Sequence, residues 1–401
     1  MQFRLLNFHK FVGNFATTLV GTFIPLIIYN ATGSLRLAVL FLFGQNLSRL
    51  LSNHIFKRMY NKYPQLTLML RVIPLLIYNI ALIFLQDFLV VGIILVTISY
   101  GAGLSFKNNA DGVLLNYSSQ KKSSSKIVLT RVVDGFSAIV ACIAGGIFID
   151  WNKTALIIFS LSLYIISVLP LFIYFFVNKN KAGFNKDFTS NAAEEYDKDP
   201  ALKQKRKNIV KNFILQYFIF YAIFCVIDPF TNMYTLHLFI DVPTFAMAGY
   251  LTATFQVANL VGNLLVNCLA KKLDINKLNA IFAIVCSAPL GIIPFLQNYI
   301  AIYVLIFIFG FSYSICSFFM MDSLMTKSKY ISARNQTLLA RQDGIIVGQM
   351  IAPIVVMIFN SVLPVFFVMV GALIVYSIYT HMVENKLRKN LVNYLENNEI
   401  E

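Results

Sequence analysis

Twelve apolar stretches constrain this chain more than any other feature in it. They lie near residues 11–30, 37–56, 66–86, 88–110, 127–149, 154–177, 209–230, 244–266, 278–297, 300–322, 336–359 and 362–382. Most are close to the roughly 20 residues that a helix needs to cross a bilayer. In hydrocarbon a run of this length satisfies its backbone polar groups as helix. The expected fold is therefore an all-α polytopic membrane protein with twelve transmembrane helices. Composition agrees, since 58% hydrophobic and 13% charged residues with a mean hydropathy of +0.70 are too apolar for a soluble protein of 401 residues.

The polar punctuation repeats along the chain. Asn53 and Asn263, Lys62 and Lys272, and Arg131 and Arg341 are each separated by 210 positions. Asp111 and Asp322 differ by 211, and Asp134-Gly135 and Asp343-Gly344 by 209. A near-constant lag over most of the chain implies duplication into two pseudo-symmetric six-helix bundles with a working site between them. The expected divisions are an N-terminal bundle at 1–177, a polar linker at 178–208, a C-terminal bundle at 209–383 and a tail at 384–401.

A net charge of +15 would suit nucleic acid, but its placement argues against that partner. Basic residues crowd alternate loops: Lys57, Arg58 and Lys62; Lys121, Lys122 and Lys126; Lys271, Lys272 and Lys277; Lys327, Lys329 and Arg334. The intervening loops carry Arg36 and Lys153. This positive-inside pattern puts both termini and the linker in the cytoplasm. The Ile, Phe, Lys and Asn bias suggests an AT-rich bacterial genome, hence the bacterial cytoplasmic membrane. The first apolar run is full length and has no small-residue cleavage site, so no cleavable signal is expected.

The five cysteines (Cys142, Cys225, Cys268, Cys286, Cys316) have no metal-ligand spacing and read as small core residues. The four histidines are scattered. No metal, cofactor or enzymatic nucleophile motif is expected, and no phosphate-cradling Gly-rich loop with Lys-Ser/Thr would let the chain use ATP.

Twelve helices, a duplicated half and a cytoplasmic middle loop resemble the major facilitator superfamily. Its Gly-x-x-x-Asp-Arg-x-Gly-Arg-Arg loops correspond here to Ser52–Gln65 and Gly262–Leu278. Gly262, Lys271 and Lys272 fit the second copy, while Ser52 replaces the glycine of the first and its acidic residue is missing. The fifth helix keeps Gly145-Gly146 of an antiporter motif but has Ala141-Cys142 for its Gly-Pro; the eleventh has Ala352-Pro353 at the corresponding place. Residues Ile24 to Ser34 are similar to the end of the first helix in the macrolide-efflux and siderophore-export branch. That resemblance implies export of an amphipathic compound such as a macrolide-like drug or siderophore; the energy would come from a proton or ion gradient, with protons favoured, or from substrate exchange.

Ionisable groups inside spans need a partner, water or a function. One set recurs in both halves: Asp111 with Asp322, Arg131 with Arg341, and Asp134 with Asp343. It is read as structural ion networks near the cytoplasmic helix ends, and in its functional version as a cytoplasmic gate. A second set does not recur. Arg71 is expected to snorkel toward the cytoplasm, and Lys107 to pair with Asp111 one turn away. Arg49 and Asp228 lie near the midplane, with Asp228 beside Pro229 in an aromatic run. Asp228 is a candidate proton carrier or contact for a cationic substrate; its alternative is a pairing with Arg49. Asn14, Thr18, Gln45, Asn108, Asn109, Asn232, Gln256 and Asn259 are further pocket candidates. Breaks near Pro25 and Pro229 would let the first helix of each half bend.

The expected function is secondary active transport by alternating access, with a small molecule, a proton or other coupling ion, and the lipid bilayer as partners of a monomer. Uptake of a nutrient or organic ion on the same fold, or lipid translocation, is the alternative.

Overall fold

A computed structural model describes residues 2–119, 124–177, 200–269, 275–330 and 334–396, and every regular element in them is helical. The first apolar run forms α1 (Gln2–Gly21) and α2 (Ile24–Thr32), parted at Thr22-Phe23 just before Pro25. Proline lacks an N–H and is accepted in a first helical turn, so the break falls where the sequence placed it. Gly33 closes α2 with φ 64°, its N–H donating to the Tyr29 carbonyl at 2.7 Å. Ser34 then caps α3 (Leu35–Lys62).

The third run is split at Arg71 into α4 (Pro64–Leu70) and α5 (Val72–Ile83), and α6 (Leu89–Ser119) follows. The fifth and sixth runs are joined as α7 (Ser124–Val177), which contains the non-helical Asn152 (φ −155°, ψ 95°). Its 42-residue apolar stretch would be roughly 60 Å long as straight helix, twice the thickness of a hydrocarbon core. It is two crossings hinged at Asn152, whose side chain accepts from the Ala155 N–H at 3.0 Å.

The seventh run repeats the design of the first. Helix α8 (Pro200–Phe224) gives way to a 3-10 turn at Cys225–Ile227, and α9 (Phe230–Asp241) resumes after Pro229. Helices α10 (Phe245–Leu269), α11 (Ile275–Ile292), α12 (Tyr299–Tyr330), α13 (Arg334–Phe359) and α14 (Leu363–Glu396) carry the remaining five runs. Eight helical stretches among the described residues meet length and apolarity criteria for crossing a membrane. The protein is an all-α polytopic membrane protein. Cys142, Cys225, Cys286 and Cys316 are buried thiols, as their apolar surroundings require.

The chain sorts into two compact units. Unit 1 comprises Met1–Ser190, Phe230–Leu260 and Pro353–Pro364; unit 2 comprises Asn191–Pro229, Val261–Ala352 and Val365–Glu401. Most of the linker expected at 178–208 lies outside the described residues.

Candidate functional site

In unit 1 the polar residues converge on α1, which presents two faces. Positions 10 and 14, one turn apart, face α6 and α7. The Asn14 amide donates to one Asp134 carboxylate oxygen at 2.7 Å, and Lys10 forms a salt bridge with the other. The Asn14 carbonyl oxygen accepts from the buried Lys107 ammonium. Asn14 therefore joins an ammonium on α6 to a carboxylate on α7, using both ends of one amide.

Positions 9 and 13 form the other face. His9, fully buried, meets the Ser167 carbonyl through Nδ1 and the Arg71 guanidinium through Nε2. A carbonyl only accepts and a guanidinium only donates, so Nδ1 carries the proton and the ring is neutral. Arg71 is 2% exposed, which corrects the expected snorkelling: it turns inward at the α4–α5 break, and Gly13 leaves room beside it.

Smaller ties link α3 and α6 at two levels. Ser105 donates to Asn53 at 2.6 Å, Asn109 donates to the same oxygen at 3.0 Å, and Ser48 donates to the Ile98 carbonyl at 2.7 Å. Arg49 donates to Asn46 on its own helix at 3.1 Å.

A third group in unit 1 joins α7 to α10. Asp150 accepts from the N–H groups of Phe245 (3.2 Å) and Ala246 (2.9 Å), the first residues of α10. One carboxylate thus satisfies two donors that α10 cannot satisfy itself, at its positive dipole end. Below it, Gly146 meets the backbone of Phe245 and Ala246, Gly249 meets the Cys142 carbonyl, and Gly145 faces Leu19 on α1. A side chain at any of these would collide with backbone. Phe23, Phe245, Phe239 and Tyr29 form a chain of edge-to-face rings alongside, with centroids 4.8–6.3 Å apart.

In unit 2 the polar centre is Asp228, at the α8–α9 break. Its carboxylate accepts from the Tyr313 hydroxyl on α12 and the Gln349 amide on α13, each at 2.8 Å. Phe224, one turn earlier, stacks on Tyr313 with centroids 5.5 Å apart and planes at 16°. Gly344 and Gly348 let α13 run against the α8 backbone at Phe218 and Ala222, which brings Gln349 to Asp228. Two turns away along the same helix pair, the Arg341 guanidinium lies over the Tyr221 ring, 5.2 Å from its centroid. Gly262 abuts Phe311 and Ser314 on α12.

A family model described as Major Facilitator Superfamily matches residues 10–340. The chain belongs to the Major Facilitator Superfamily. Solved structures with the same fold include the nucleoside transporter NupG, at 15% identity and TM-score 0.67 over 95% of this chain and 98% of that one. A bacterial homologue of the iron transporter ferroportin in its inward-facing state is similar at 11% identity and TM-score 0.68, again over 95% and 98%. The fucose:proton symporter FucP of E. coli is similar at 13% identity and TM-score 0.56, with the same coverage. No curated protein matches the chain in sequence.

For this facilitator, the residues singled out from sequence fall into distinct places. Lys107 joins Asn14 and Asp134, and Asp228 joins Tyr313 and Gln349. Asn108 is exposed, while Asn232 and Gln256 are half-buried on α9 and α10; among the described residues no hydrogen bond ties these three side chains to the Lys107 group. Asp343 is half-buried on α13. The side chains of Asp111, Arg131 and Asp322 lie outside those described, so three members of the expected gate network have no described geometry. Sequence reading missed Lys10, His9, Asp150, Tyr313 and Gln349. Lys10 and Asn14, at i and i+4 at the start of the first apolar run, were a usable signal. Tyr313 and Gln349, 85 and 121 positions from Asp228, gave none.

Proposed function

We propose that this facilitator is a secondary active transporter of the bacterial cytoplasmic membrane, with both termini inside, that works by alternating access and exports an amphipathic compound in exchange for protons. The observation that carries the reading is Asp228. It is a carboxylate halfway along a broken membrane helix, and two neutral donors from two other helices aim at its oxygens. An ionisable group at that depth is a functional candidate by default. Tyr313 and Gln349 donate to its oxygens from two further helices, so helix bending that moves either donor changes the surroundings of the carboxylate. Pro229 and the 3-10 turn place the bend beside it.

The export direction rests on the likeness of Ile24–Ser34 to efflux proteins. A second reading, uptake of a small polar solute, draws on the nucleoside and fucose transporters that share the fold. Transport of a compound panel into inverted vesicles, with and without a protonophore, separates the two. Export predicts accumulation that the protonophore abolishes. Accumulation only in right-side-out vesicles would establish uptake instead, and accumulation insensitive to the protonophore would remove the proton.

A further inference from the structure

Unit 1 is drawn from both halves of the sequence. Besides Met1–Ser190 it takes two pieces of the second half, Phe230–Leu260 and Pro353–Pro364. Each piece surrounds a junction between apolar runs, α9 to α10 in one and α13 to α14 in the other. Two polar ties bind these junctions to junctions of the first half. Asp150, beside the hinge of α7, accepts from the first N–H groups of α10. Arg36, in the first turn of α3, donates through Nε to Asn360 at 3.1 Å, between α13 and α14. The ring chain of Phe23, Phe245, Phe239 and Tyr29 runs alongside the first tie.

These four junctions follow the first, fifth, seventh and eleventh apolar runs. An odd number of crossings separates each from the N-terminus, so all four belong to one side of the membrane. On the topology proposed above, that side faces away from the cytoplasm. Asp150, Arg36 and Asn360 are exposed there. When they part, water takes over each hydrogen bond, so release buries no unsatisfied group. The contact behind Asp150 is close and built from small residues: Gly146 meets Ala246, and Gly249 meets Cys142. Helical spacing puts Ala253, 4% exposed, on the same stripe of α10 as positions 246 and 249. Attraction across such a contact falls away within a fraction of an ångström of separation, so the two helices are either packed or parted.

We propose that Asp150 and Arg36 are the positioning residues of a releasable latch on the non-cytoplasmic side. Asp150 holds α10 against α7, and Arg36 holds the α13–α14 junction against α3. Opening of the transporter on that side begins with the release of both ties. The latch rests on the topology and alternating-access reading above, and it names the residues that set the bias between the closed and open forms at that end.

The test reads the accessibility of one thiol, with no substrate and no gradient, so a failed transport assay does not decide it. The full-length protein carrying Ala253→Cys, in right-side-out vesicles, is treated with a membrane-impermeant maleimide, and labelling is read by peptide mapping. The chain without that substitution gives the background from the five native cysteines. Labelling at position 253 is slow in this parent. Adding Asp150→Ala raises its rate about five-fold. Asp150→Asn, which keeps one acceptor, raises it less. Arg36→Ala also raises it, although the partner of Arg36 lies at the α13–α14 junction. Native Cys286, buried in unit 2, stays at the parent rate throughout, which separates unlatching from general loosening of the fold. A rate at position 253 unchanged by Asp150→Ala or by Arg36→Ala, an equal rise at Cys286, or fast labelling of the parent overturns the latch. A rise in inverted vesicles and not in right-side-out ones overturns the topology, and the latch with it.

Discussion

Asn14 shows what one residue contributes when it stands between opposite charges. Its amide donates to Asp134 and its carbonyl accepts from Lys107. Asn14→Leu is close in volume but removes both bonds, leaving a buried ammonium and a carboxylate each short of a partner. We expect a loss of about 2 kcal/mol or more, read as a lower thermal midpoint of the purified protein, whereas Asn14→Gln retains part of the stability. A midpoint unchanged in Asn14→Leu would show that the bridge contributes nothing. Arg71 shows where single-residue reasoning failed. Its nearness in sequence to a basic loop suggested an escape to water, yet His9 and Gly13, some 60 positions away, provide a buried berth. Sequence identifies an intramembrane charge reliably; it does not say which helix supplies the partner.

Elements were far more legible. Twelve runs of spanning length, proline at the α1–α2 and α8–α9 breaks and glycine at close approaches are local signals, and helix formation in a membrane depends on little else. Gly262, Gly145 and Gly146 were marked by motif position, and each meets a neighbouring helix where a Cβ would clash. The Asp150 cap was not legible, because it joins a helix end to one 95 positions later. Asp150→Ala leaves two N–H groups at the start of α10 without their acceptor and should cost about 1 kcal/mol, measurable as a lower unfolding midpoint; Asp150→Asn should retain part of the effect. Gly146→Leu should be more damaging. Its side chain meets the Phe245 and Ala246 backbone, so α7 and α10 cannot approach and transport falls steeply, even where membrane expression is preserved. Wild-type transport rates in Gly146→Leu would contradict a role for that contact in the cycle.

At the scale of the whole molecule, the near-210 lag and the charge asymmetry pointed to the superfamily whose family model matches residues 10–340. Substrate and direction are not written there. They depend on a few side chains brought together from distant helices, such as Asp228 with Tyr313 and Gln349.

The central claim is that Asp228 carries the proton that drives transport, and Asp228→Asn in reconstituted vesicles tests it most directly. The account predicts that the variant loses accumulation driven by an imposed pH gradient but still exchanges labelled for unlabelled substrate. Full gradient-driven accumulation by Asp228→Asn would contradict it.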